Sequence, residues 1–409
     1  MCGDTQFCQK DFEKMKIGII SCDRWLRQWD NYGTLFQNYA LQKHLQKQGH
    51  ETFWILTRPE KRSLKDQCMR AICHPRMFVR FIARFVISKI FQKKDLRLYD
   101  FSPEEVARIT RFNELHPRGV ASFFEKYIPH TASCFSGTEL QRTPPFADAY
   151  IVGSDNIWGG VSIANFLDFG VSGTKRVAYA VSAPWGKIDG DWIREAKRKL
   201  GVFNGVSVRE TEGVEICRNA GRRDVAYVCD PTLLLNKRDY MALVASENVD
   251  VRFERKAILA YLINVRELSD LPWNELLVFS REMGLELKVV PLQGSELAIP
   301  EEYVYTPSPA EWLNAYDKSE FVVTNSFHGT VFAIIMRKPF VVVLQKGEMS
   351  IANCRFLSML SRLDLEDRIW SGEGKISEVA SRQIDWDAVE GKLNDFRTHS
   401  EIFLEKALS

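Results

Sequence analysis

The chain has 409 residues, of which 45% are hydrophobic, and its formal net charge at pH 7 is +2. These values exclude a disordered chain and a strongly charged one, and the length is too great for one ordinary hydrophobic core, so we expect two domains. The charge is unevenly distributed, because residues 58–97 hold twelve Lys and Arg against three Asp and Glu. This asymmetry indicates a basic segment within an otherwise acidic chain.

The cysteines and the apolar runs limit the class of protein further. The nine cysteines are scattered and lack the C-x-x-C spacing, which predicts neither a disulfide framework nor a zinc site and favours a reducing cytoplasm. The first fourteen residues are polar and lack the apolar centre of a signal peptide. No run of about 18 uncharged apolar residues occurs, so we expect no segment that crosses a membrane.

The first half of the chain alternates strands and helices around one interruption. We predict a strand at residues 15–21, a helix at 34–49 and a strand at 50–56, followed by a basic, aromatic-rich helical insertion at about 58–130. The alternation then resumes. The predicted strands are 147–158, 175–185, 205–210 and 226–235, and helices are predicted at 191–201 and 211–221.

The second half repeats the pattern. Strands are predicted at 256–264, 285–292, 320–326 and 339–345, with helices at 271–284, 308–319 and 329–338. Two successive arrays with nearly continuous apolar strands predict an α/β protein with two parallel-sheet, Rossmann-like domains facing a cleft. We place the domains at 1–240 and 250–385, with a polar break at 236–256 and a C-terminal helix at 386–409 that packs back across both.

The sequence NSFHG at residues 325–329 joins a predicted strand to a predicted helix. Asn325, Ser326 and Gly329 allow the backbone to turn sharply there. Ligands of open α/β sheets bind beyond the carboxyl ends of the strands. His328 titrates near neutrality and is therefore a candidate acid or base, although a histidine that only caps the helix is the alternative.

The helix after this turn predicts an anion site. The backbone N–H groups of Thr330 and Val331 are expected to be unpaired and to favour a negative charge next to His328. Lys338 follows that helix, which spans about 13 Å. It therefore reaches the same site only if the chain folds back, and a solvated lysine is the alternative.

Two further candidates lie at the ends of predicted strands in the first domain. Arg209 can bind a phosphate or carboxylate through two hydrogen bonds, or can form a salt bridge to Glu210 or Glu212. Asp155, two residues after Gly153, can act as a general acid or base, can bind a sugar hydroxyl, or can cap the next helix.

Several motifs of other enzyme classes are absent from the sequence. We find no G-x-x-x-x-G-K-[ST] phosphate loop, no G-x-G-x-x-G after the first strand, no H-E-x-x-H and no D-x-D pair of the metal-binding kind seen in many sugar transferases. The sequence therefore predicts chemistry that uses no metal ion and no cofactor.

Six segments in order along the chain resemble the polysaccharide pyruvyl transferase family. Residues 58–130 lie outside this resemblance, which implies the two-domain fold called GT-B. The segments are DNYGTLFQNYALQ (30–42), AYIVGSDNIW (149–158), AYAVSAPW (178–185), VSVRETEGVEI (206–216), VCDPTLLL (228–235) and VTNSFHGTVFAIIMRKPFVVV (323–343).

The resemblance implies a reaction in which the pyruvyl group of phosphoenolpyruvate forms a cyclic ketal with two sugar hydroxyls and phosphate is released. The family histidine maps onto His328, the strand-end arginine onto Arg209 and the lysine onto Lys338. This chain departs from members with Arg-Leu before the histidine, because it has Ser326 and Phe327 there. It also has Asn156 where the family pattern has glutamine. Further predicted substrate-binding residues are Asn31, Tyr32, Gly33, Gly153, Ser154, Asn325, Ser326 and Gly329.

The residues fit the chemistry that the resemblance implies. Phosphoenolpyruvate is a multiply charged anion, so it needs cations and N–H donors such as Arg209 and Lys338. Its methylene carbon must gain a proton and a sugar hydroxyl must lose one, and His328, with or without Asp155, is suited to these steps. We expect the acceptor to be a lipid-linked intermediate of a surface polysaccharide, such as an exopolysaccharide or a capsule.

Residues 76–94, RMFVRFIARFVISKIFQKK, combine apolar and basic residues at an imperfect helical spacing. Such a helix can lie on an anionic membrane surface. The alternative is a helix packed on the first domain with solvated arginines. We expect a cytoplasmic protein, peripheral at the inner face of the membrane, and no nucleic-acid partner, because no recognition module accompanies the charge.

Two other functions stay open at this point. One is a GT-B glycosyltransferase that uses a nucleotide sugar, although the usual glutamate after the helix start is missing from TVFAIIMRKPF. The other is a non-catalytic protein that binds glycans or a biosynthetic complex. The presence of Arg209 and His328 argues weakly against it.

Overall fold

The computed structural model describes residues 14–22, 31–59 and 101–409. The predicted membrane helix at 76–94 lies outside the described residues, as does most of the predicted basic insertion. The described end of that insertion is helical, as predicted.

The first domain is built on a six-stranded sheet in which every neighbouring pair of strands runs parallel. The strand order across the sheet is β2-β1-β3-β4-β5-β6. The strands are β1 (Lys16–Ile20), β2 (Glu51–Trp54), β3 (Ala149–Val152), β4 (Lys175–Val181), β5 (Gly205–Val208) and β6 (Val225–Tyr227).

The second domain contains a five-stranded sheet, which is also parallel throughout. Its strand order is β11-β10-β9-β7-β8. The strands are β7 (Ala257–Ile263), β8 (Glu286–Leu292), β9 (Phe321–Thr324), β10 (Phe340–Val343) and β11 (Ile369–Trp370). The central strands AYIV and FVVT are buried along their whole length because helices cover both faces of each sheet. The prediction of two parallel-sheet α/β domains is confirmed.

Helices connect the strands in both domains. They are α1 (Tyr32–Lys47), α2 (Pro103–Leu115), α3 (Val120–Tyr127), α4 (Gly137–Arg142), α5 (Gly190–Lys199), α6 (Thr211–Asn219), α7 (Lys237–Ser246), α8 (Trp273–Met283), α9 (Pro309–Lys318), α10 (Phe327–Ile335), α11 (Cys354–Arg362), α12 (Ile376–Ala380) and α13 (Trp386–Leu408). Short 3-10 turns lie between several of them.

One strand prediction needs correction, and the predicted break between the domains contains a helix. The stretch at 236–256 lies between β6 of the first sheet and β7 of the second and holds α7, which begins with a capping box at Asn236 and Asp239. This helix lies between the domains, because Lys237 pairs with Asp317 of α9 and Asp239 pairs with Lys47 of α1. The strand predicted at 226–235 ends at Tyr227, so the residues after it lie beyond the sheet edge.

The C-terminal helix α13 packs on the sheet of the first domain. The Ser400 hydroxyl accepts a hydrogen bond from the Cys229 backbone N–H at 2.9 Å, and Phe396 packs against Tyr227. At the other end of the helix, Asp387 pairs with Arg337 of the second domain. The helix thus contacts both domains.

The domains share a hydrophobic core. One continuous cluster of buried side chains includes Ile17 and Ile151 from the first sheet and Leu259 and Val322 from the second. Helix α1 lies between the sheets, and only three of its sixteen residues are not buried. The sheets are therefore held as one packed unit across the cleft.

Two searches of the described residues gave negative results. No helix in this part of the chain is long and apolar enough to cross a membrane. Among the same residues, no group of three or more His, Cys, Asp and Glu side chains is arranged to hold a metal ion.

Candidate active site

A cleft between the two sheets brings together residues that follow strands in both domains. Asn31 and Asp155 line it from the first domain, and Ser326 and His328 line it from the second. The carboxyl ends of parallel strands are the usual ligand site of open α/β sheets. Four of the predicted site residues therefore share one cavity.

His328 lies in the first turn of α10 and is only 8% exposed. Its Nε2 atom lies 3.6 Å from a carboxylate oxygen of Asp230, across the cleft. That nitrogen makes no hydrogen bond to a described residue. The imidazole also packs against Gly33 of α1, where an added Cβ atom would lie 2.2 Å from Nδ1. Gly33 therefore leaves the space that the imidazole occupies.

Arg209 follows β5, and its guanidinium is almost completely buried. Nη1 donates to Asp230 at 2.7 Å, and Nε donates to Glu210 at 3.3 Å. The guanidinium also lies over the ring of Phe327, 4.5 Å from its centre. The structure thus brings Arg209 and His328 to the same carboxylate.

Asp230 was missed as a site residue, although it lies in the quoted segment VCDPTLLL. It stands three residues beyond the end of β6 and is fully buried. Burial by itself would raise the pKa of this carboxyl, but the neighbouring His328 imidazole, the Arg209 guanidinium and the hydrogen bond from the Thr232 hydroxyl hold the pKa well below its usual range. An aspartate after a short strand was the only signal in the sequence.

Asp155 lies between two arginines. Its Oδ1 atom is 3.5 Å from Arg209 Nη2 and 3.6 Å from Arg355 Nη1. Burial would raise the pKa of the Asp155 carboxyl, but the positive charges of Arg355 and Arg209 lower it below its ordinary value. Asp155 is therefore a carboxylate at neutral pH, which favours a base or an orienting role over the acid role.

Arg355 was also missed, because it stands on α11 outside every quoted segment. Its side chain lines the cleft and is 14% exposed. One Nη atom donates to the Asn156 side chain, and Nε lies 3.7 Å from Glu210. Glu210 is already bonded by the Ser182 hydroxyl and the Trp185 indole. Arg355 is therefore held more loosely than Arg209.

Three buried N–H donors of this cluster have no hydrogen-bond partner among the described residues. They are Nη2 of Arg209, Nε2 of His328 and Nε of Arg355. An unsatisfied buried donor costs free energy, so such groups are usually paired with a ligand or water. The arrangement can bind an oxyanion and can exchange a proton through the imidazole.

Lys338 does not reach this site, which corrects the sequence prediction. It precedes β10 and lies near Asp317, Lys237 and Glu320, at the edge of the sheet where strands begin. His328 lies at the opposite edge, where β9 ends. The intervening helix separates them because the chain does not fold back.

The residues of the turn at NSFHG also have roles that differ from those predicted. The Asn325 side chain donates to and accepts from the backbone of Ile263, both at 2.8 Å, so it joins two strand ends. An added Cβ atom on Gly329 would lie 2.2 Å from the Thr324 hydroxyl, which makes this glycine a packing residue. The Thr330 N–H, predicted to bind an anion, donates to the Ser326 carbonyl because the helix begins earlier, at Phe327.

Most of the remaining predicted residues have structural roles. The Asn31 side chain caps α1 by accepting from the Thr34 N–H, and Ser326 caps α10 by accepting from the Gly329 N–H. The Tyr32 hydroxyl donates to the Pro307 carbonyl of the second domain. The Ser154 hydroxyl donates to the Ala180 carbonyl. Gly153 also has no space for a side chain, since an added Cβ atom would lie 1.9 Å from the Tyr179 carbonyl oxygen.

Comparison with protein families and curated proteins gave one match. The sequence model of the family described as polysaccharide pyruvyl transferase matches residues 31–346. No curated protein matches the chain.

The fold is similar to those of several solved structures at low sequence identity. UDP-GlcNAc 2-epimerase from Neisseria meningitidis is 11% identical, with a TM-score of 0.42, and the match covers 96% of this chain and 98% of that one. UDP-N-acetylglucosamine 2-epimerase from Rickettsia bellii is 10% identical, with a TM-score of 0.47 and coverages of 97% and 96%. The glycosyltransferase of kitacinnamycin is 11% identical, with a TM-score of 0.45 and coverages of 97% and 100%.

Proposed function

Because the chain belongs to the polysaccharide pyruvyl transferase family, we propose that it transfers the pyruvyl group of phosphoenolpyruvate to two hydroxyls of a sugar and releases phosphate. The observation that carries this proposal is that three buried nitrogens, on Arg209, His328 and Arg355, make no hydrogen bond to a described residue. Each has only a long contact, of 3.5, 3.6 and 3.7 Å respectively, to a carboxylate. These groups suit the carboxylate and phosphate of one small, multiply charged donor.

The two arginines have different parts in this proposal. Arg209 is fixed by Asp230 and by the Phe327 ring, so it offers the donor a preorganised guanidinium. Arg355 lies 3.6 Å from Asp155 and 3.7 Å from Glu210, distances too long for strong hydrogen bonds. Its one hydrogen bond to a described residue is to the neutral Asn156 side chain, so Arg355 exchanges that bond for one to the donor and supplies a second cation.

The proposed reaction has two steps that balance in atoms and protons. One sugar hydroxyl attacks the C2 atom of phosphoenolpyruvate and passes its proton to the Asp155 carboxylate, while the C3 methylene gains a proton. The second hydroxyl then attacks C2 and the C–O bond to phosphate breaks. The His328 imidazole takes the proton of that hydroxyl, which restores its charged form, and the Asp155 proton leaves with the phosphate. His328 supplies the proton to C3, and the neighbouring Asp230 carboxylate stabilises the charged imidazolium. No cofactor takes part.

We propose a lipid-linked intermediate of a surface polysaccharide as the acceptor. The support is the basic and apolar composition of residues 76–94, which suits the anionic surface where such carriers lie. Mass spectrometry of lipid-linked and free saccharides incubated with the protein and phosphoenolpyruvate tests this point. A pyruvyl adduct on free saccharide only would contradict it.

The role of His328 is tested by His328→Ala, which should abolish phosphate release from phosphoenolpyruvate plus acceptor and leave the protein folded, with the far-ultraviolet circular dichroism of the parent. His399→Ala is the matched control, since this histidine is exposed on α13 and outside the cleft. It should retain full activity. Phosphate release by His328→Ala at the parent rate would remove the imidazole from the mechanism.

Thermal-shift measurements separate this function from the nucleotide-sugar alternative. Phosphoenolpyruvate should raise the unfolding midpoint of the parent protein, because binding to the folded state stabilises it. A shift with UDP-sugars and none with phosphoenolpyruvate would favour a glycosyltransferase instead.

A further inference from the structure

Three carboxamides line the cleft in addition to its charged groups. Asn264 follows β7, Gln293 follows β8 and Gln345 follows β10, so all three stand at strand ends of the second domain. The cleft therefore contains neutral hydrogen-bonding groups next to Asp155 and Arg355.

Two of these residues, Asn264 and Gln293, have an unfavourable backbone conformation. The φ angle is +60° at Asn264 and +58° at Gln293, in the left-handed region where glycine is preferred. Asparagine tolerates this conformation, but a glutamine there is uncommon. Backbone strain of this kind is frequent at ligand sites, where the side chain has a use that outweighs its conformational cost.

The Gln293 side chain has no polar partner within the described part of the chain. The residue is 5% exposed and lines the cleft, and its side chain makes no hydrogen bond to any described residue. Asn264 is half-buried, and among the described residues its side chain makes one hydrogen bond, a long one of 3.4 Å to Gln345. A carboxamide offers two donors and an acceptor, so both residues have capacity for a polar ligand.

The side chains around these amides indicate which kind of ligand the cleft can bind. The same cavity is lined by apolar side chains, among them Pro184, Met349 and Ile351. A neutral molecule with hydroxyl groups on its edge and C–H groups on its faces suits such a mixture. An anion does not suit these residues, because neither amide carries a charge.

We propose that Asn264 and Gln293 form the subsite that holds the acceptor sugar ring by its hydroxyls. This inference rests on the proposed function, since it assigns the second substrate of the same cleft. The donor is held by Arg209 and Arg355 in this proposal, and the two amides hold the sugar hydroxyls within the same cavity.

The test uses Gln293→Gly in the full chain, with methyl glycosides of glucose, galactose and mannose as probes in saturation-transfer NMR. At least one glycoside should bind to the parent protein. Gln293→Gly should weaken that binding about tenfold, as expected for the loss of hydrogen bonds to a neutral ligand. Its unfolding midpoint should be unchanged or higher, because glycine adopts a positive φ without strain.

Asn248→Gly is the matched control. Asn248 also has a positive φ, +53°, but it is exposed after α7 and does not line the cleft. Glycoside binding should be the same in this variant as in the parent. A loss of binding here would show that backbone relief, and not the amide, is responsible.

Further outcomes decide the proposal. Phosphoenolpyruvate should still raise the unfolding midpoint of Gln293→Gly, because the donor-binding residues are unchanged in this variant. If phosphoenolpyruvate does not raise the midpoint of the parent protein, that result counts against the proposed function alone. Unchanged glycoside binding in Gln293→Gly would overturn the subsite, as would the absence of glycoside binding in the parent. Uridine binding that depends on Gln293 would likewise reject a sugar subsite, because amides also bind nucleobase edges.

Discussion

At the scale of single residues, the candidate site depends on a buried carboxylate, Asp230, that was not predicted as a site residue. Asp230 lies 2.7 Å from Arg209 and 3.6 Å from His328, so it fixes one cation and faces the other. Breaking a buried ion pair by removing one partner typically costs about 3–5 kcal/mol. The ion pair between Asp230 and Arg209 therefore stabilises the folded protein and also orients the groups of the candidate site.

Gly33→Ala should disable the site through His328. The new Cβ atom would lie 2.2 Å from Nδ1, a distance that forces the imidazole or α1 to move. Because a displacement of about 1 Å can cost about a hundredfold in rate, we expect phosphate release to fall by at least that factor. The measurement is steady-state phosphate release with phosphoenolpyruvate and acceptor.

A second helical glycine provides the control for this substitution. Gly391 lies in α13 with no atom within 4 Å of an added Cβ. Gly391→Ala should retain activity and raise the free energy of unfolding by about 0.5–1 kcal/mol, since alanine is the better helix former. Full activity in Gly33→Ala would show that the imidazole does not depend on this contact.

At the scale of elements, α1 is notable because it is buried on nearly all sides between the domains. Its residue His44 is 7% exposed, and burial lowers the pKa of the imidazole to about 4, with a further lowering from Lys47. The Glu401 carboxylate of α13 lies 3.9 Å away. This helix therefore carries a neutral histidine into the core.

The lowered pKa predicts a loss of stability in acid. The unfolded chain binds a proton at His44 below its ordinary pKa of 6.5, while the folded chain does so only near pH 4. The free energy of unfolding should thus fall between pH 6.5 and 4, by roughly 3 kcal/mol at about 1.4 kcal/mol per pKa unit. Urea unfolding at a series of pH values measures it.

His44→Gln should remove most of this slope, because glutamine does not titrate. A smaller slope should remain, since burial also lowers the pKa of His50. A slope in His44→Gln equal to that of the parent would show that acid sensitivity arises elsewhere in the molecule.

At the scale of the whole molecule, the two sheets are joined by more than the cleft residues. Arg118, between α2 and α3, is completely buried and donates to the Pro291 carbonyl of the second sheet at 2.8 Å. Helix α13 contacts both domains, and Thr211 bonds to Ser358 of α11. The site is therefore assembled from two domains that are packed against each other.

This packing predicts that the domains unfold together. One core cluster contains side chains from both sheets, so neither sheet can be exposed without losing contacts of the other. Thermal unfolding followed by tryptophan fluorescence and by far-ultraviolet circular dichroism should give one transition with the same midpoint. Two separated transitions would mean that the interface contributes little to stability.

The sequence by itself determined the fold class, the order of strands and helices, and two of the central site residues. Apolar runs such as AYIV and FVVT are buried on both faces, which is the pattern that parallel sheets require. His328 and Arg209 were found because each directly follows such a strand. The family resemblance, based on short local segments, was confirmed by the match to residues 31–346.

Only the tertiary structure decided which residues meet across the cleft. Asp230, Arg355 and Gln293 stand at strand or helix ends with no local signature, and Lys338 has the right charge at the wrong edge of its sheet. Local sequence fixes periodicity and turns, because these depend on neighbours a few residues away. The contacts of a cleft depend on how two sheets pack, which is a property of the whole chain.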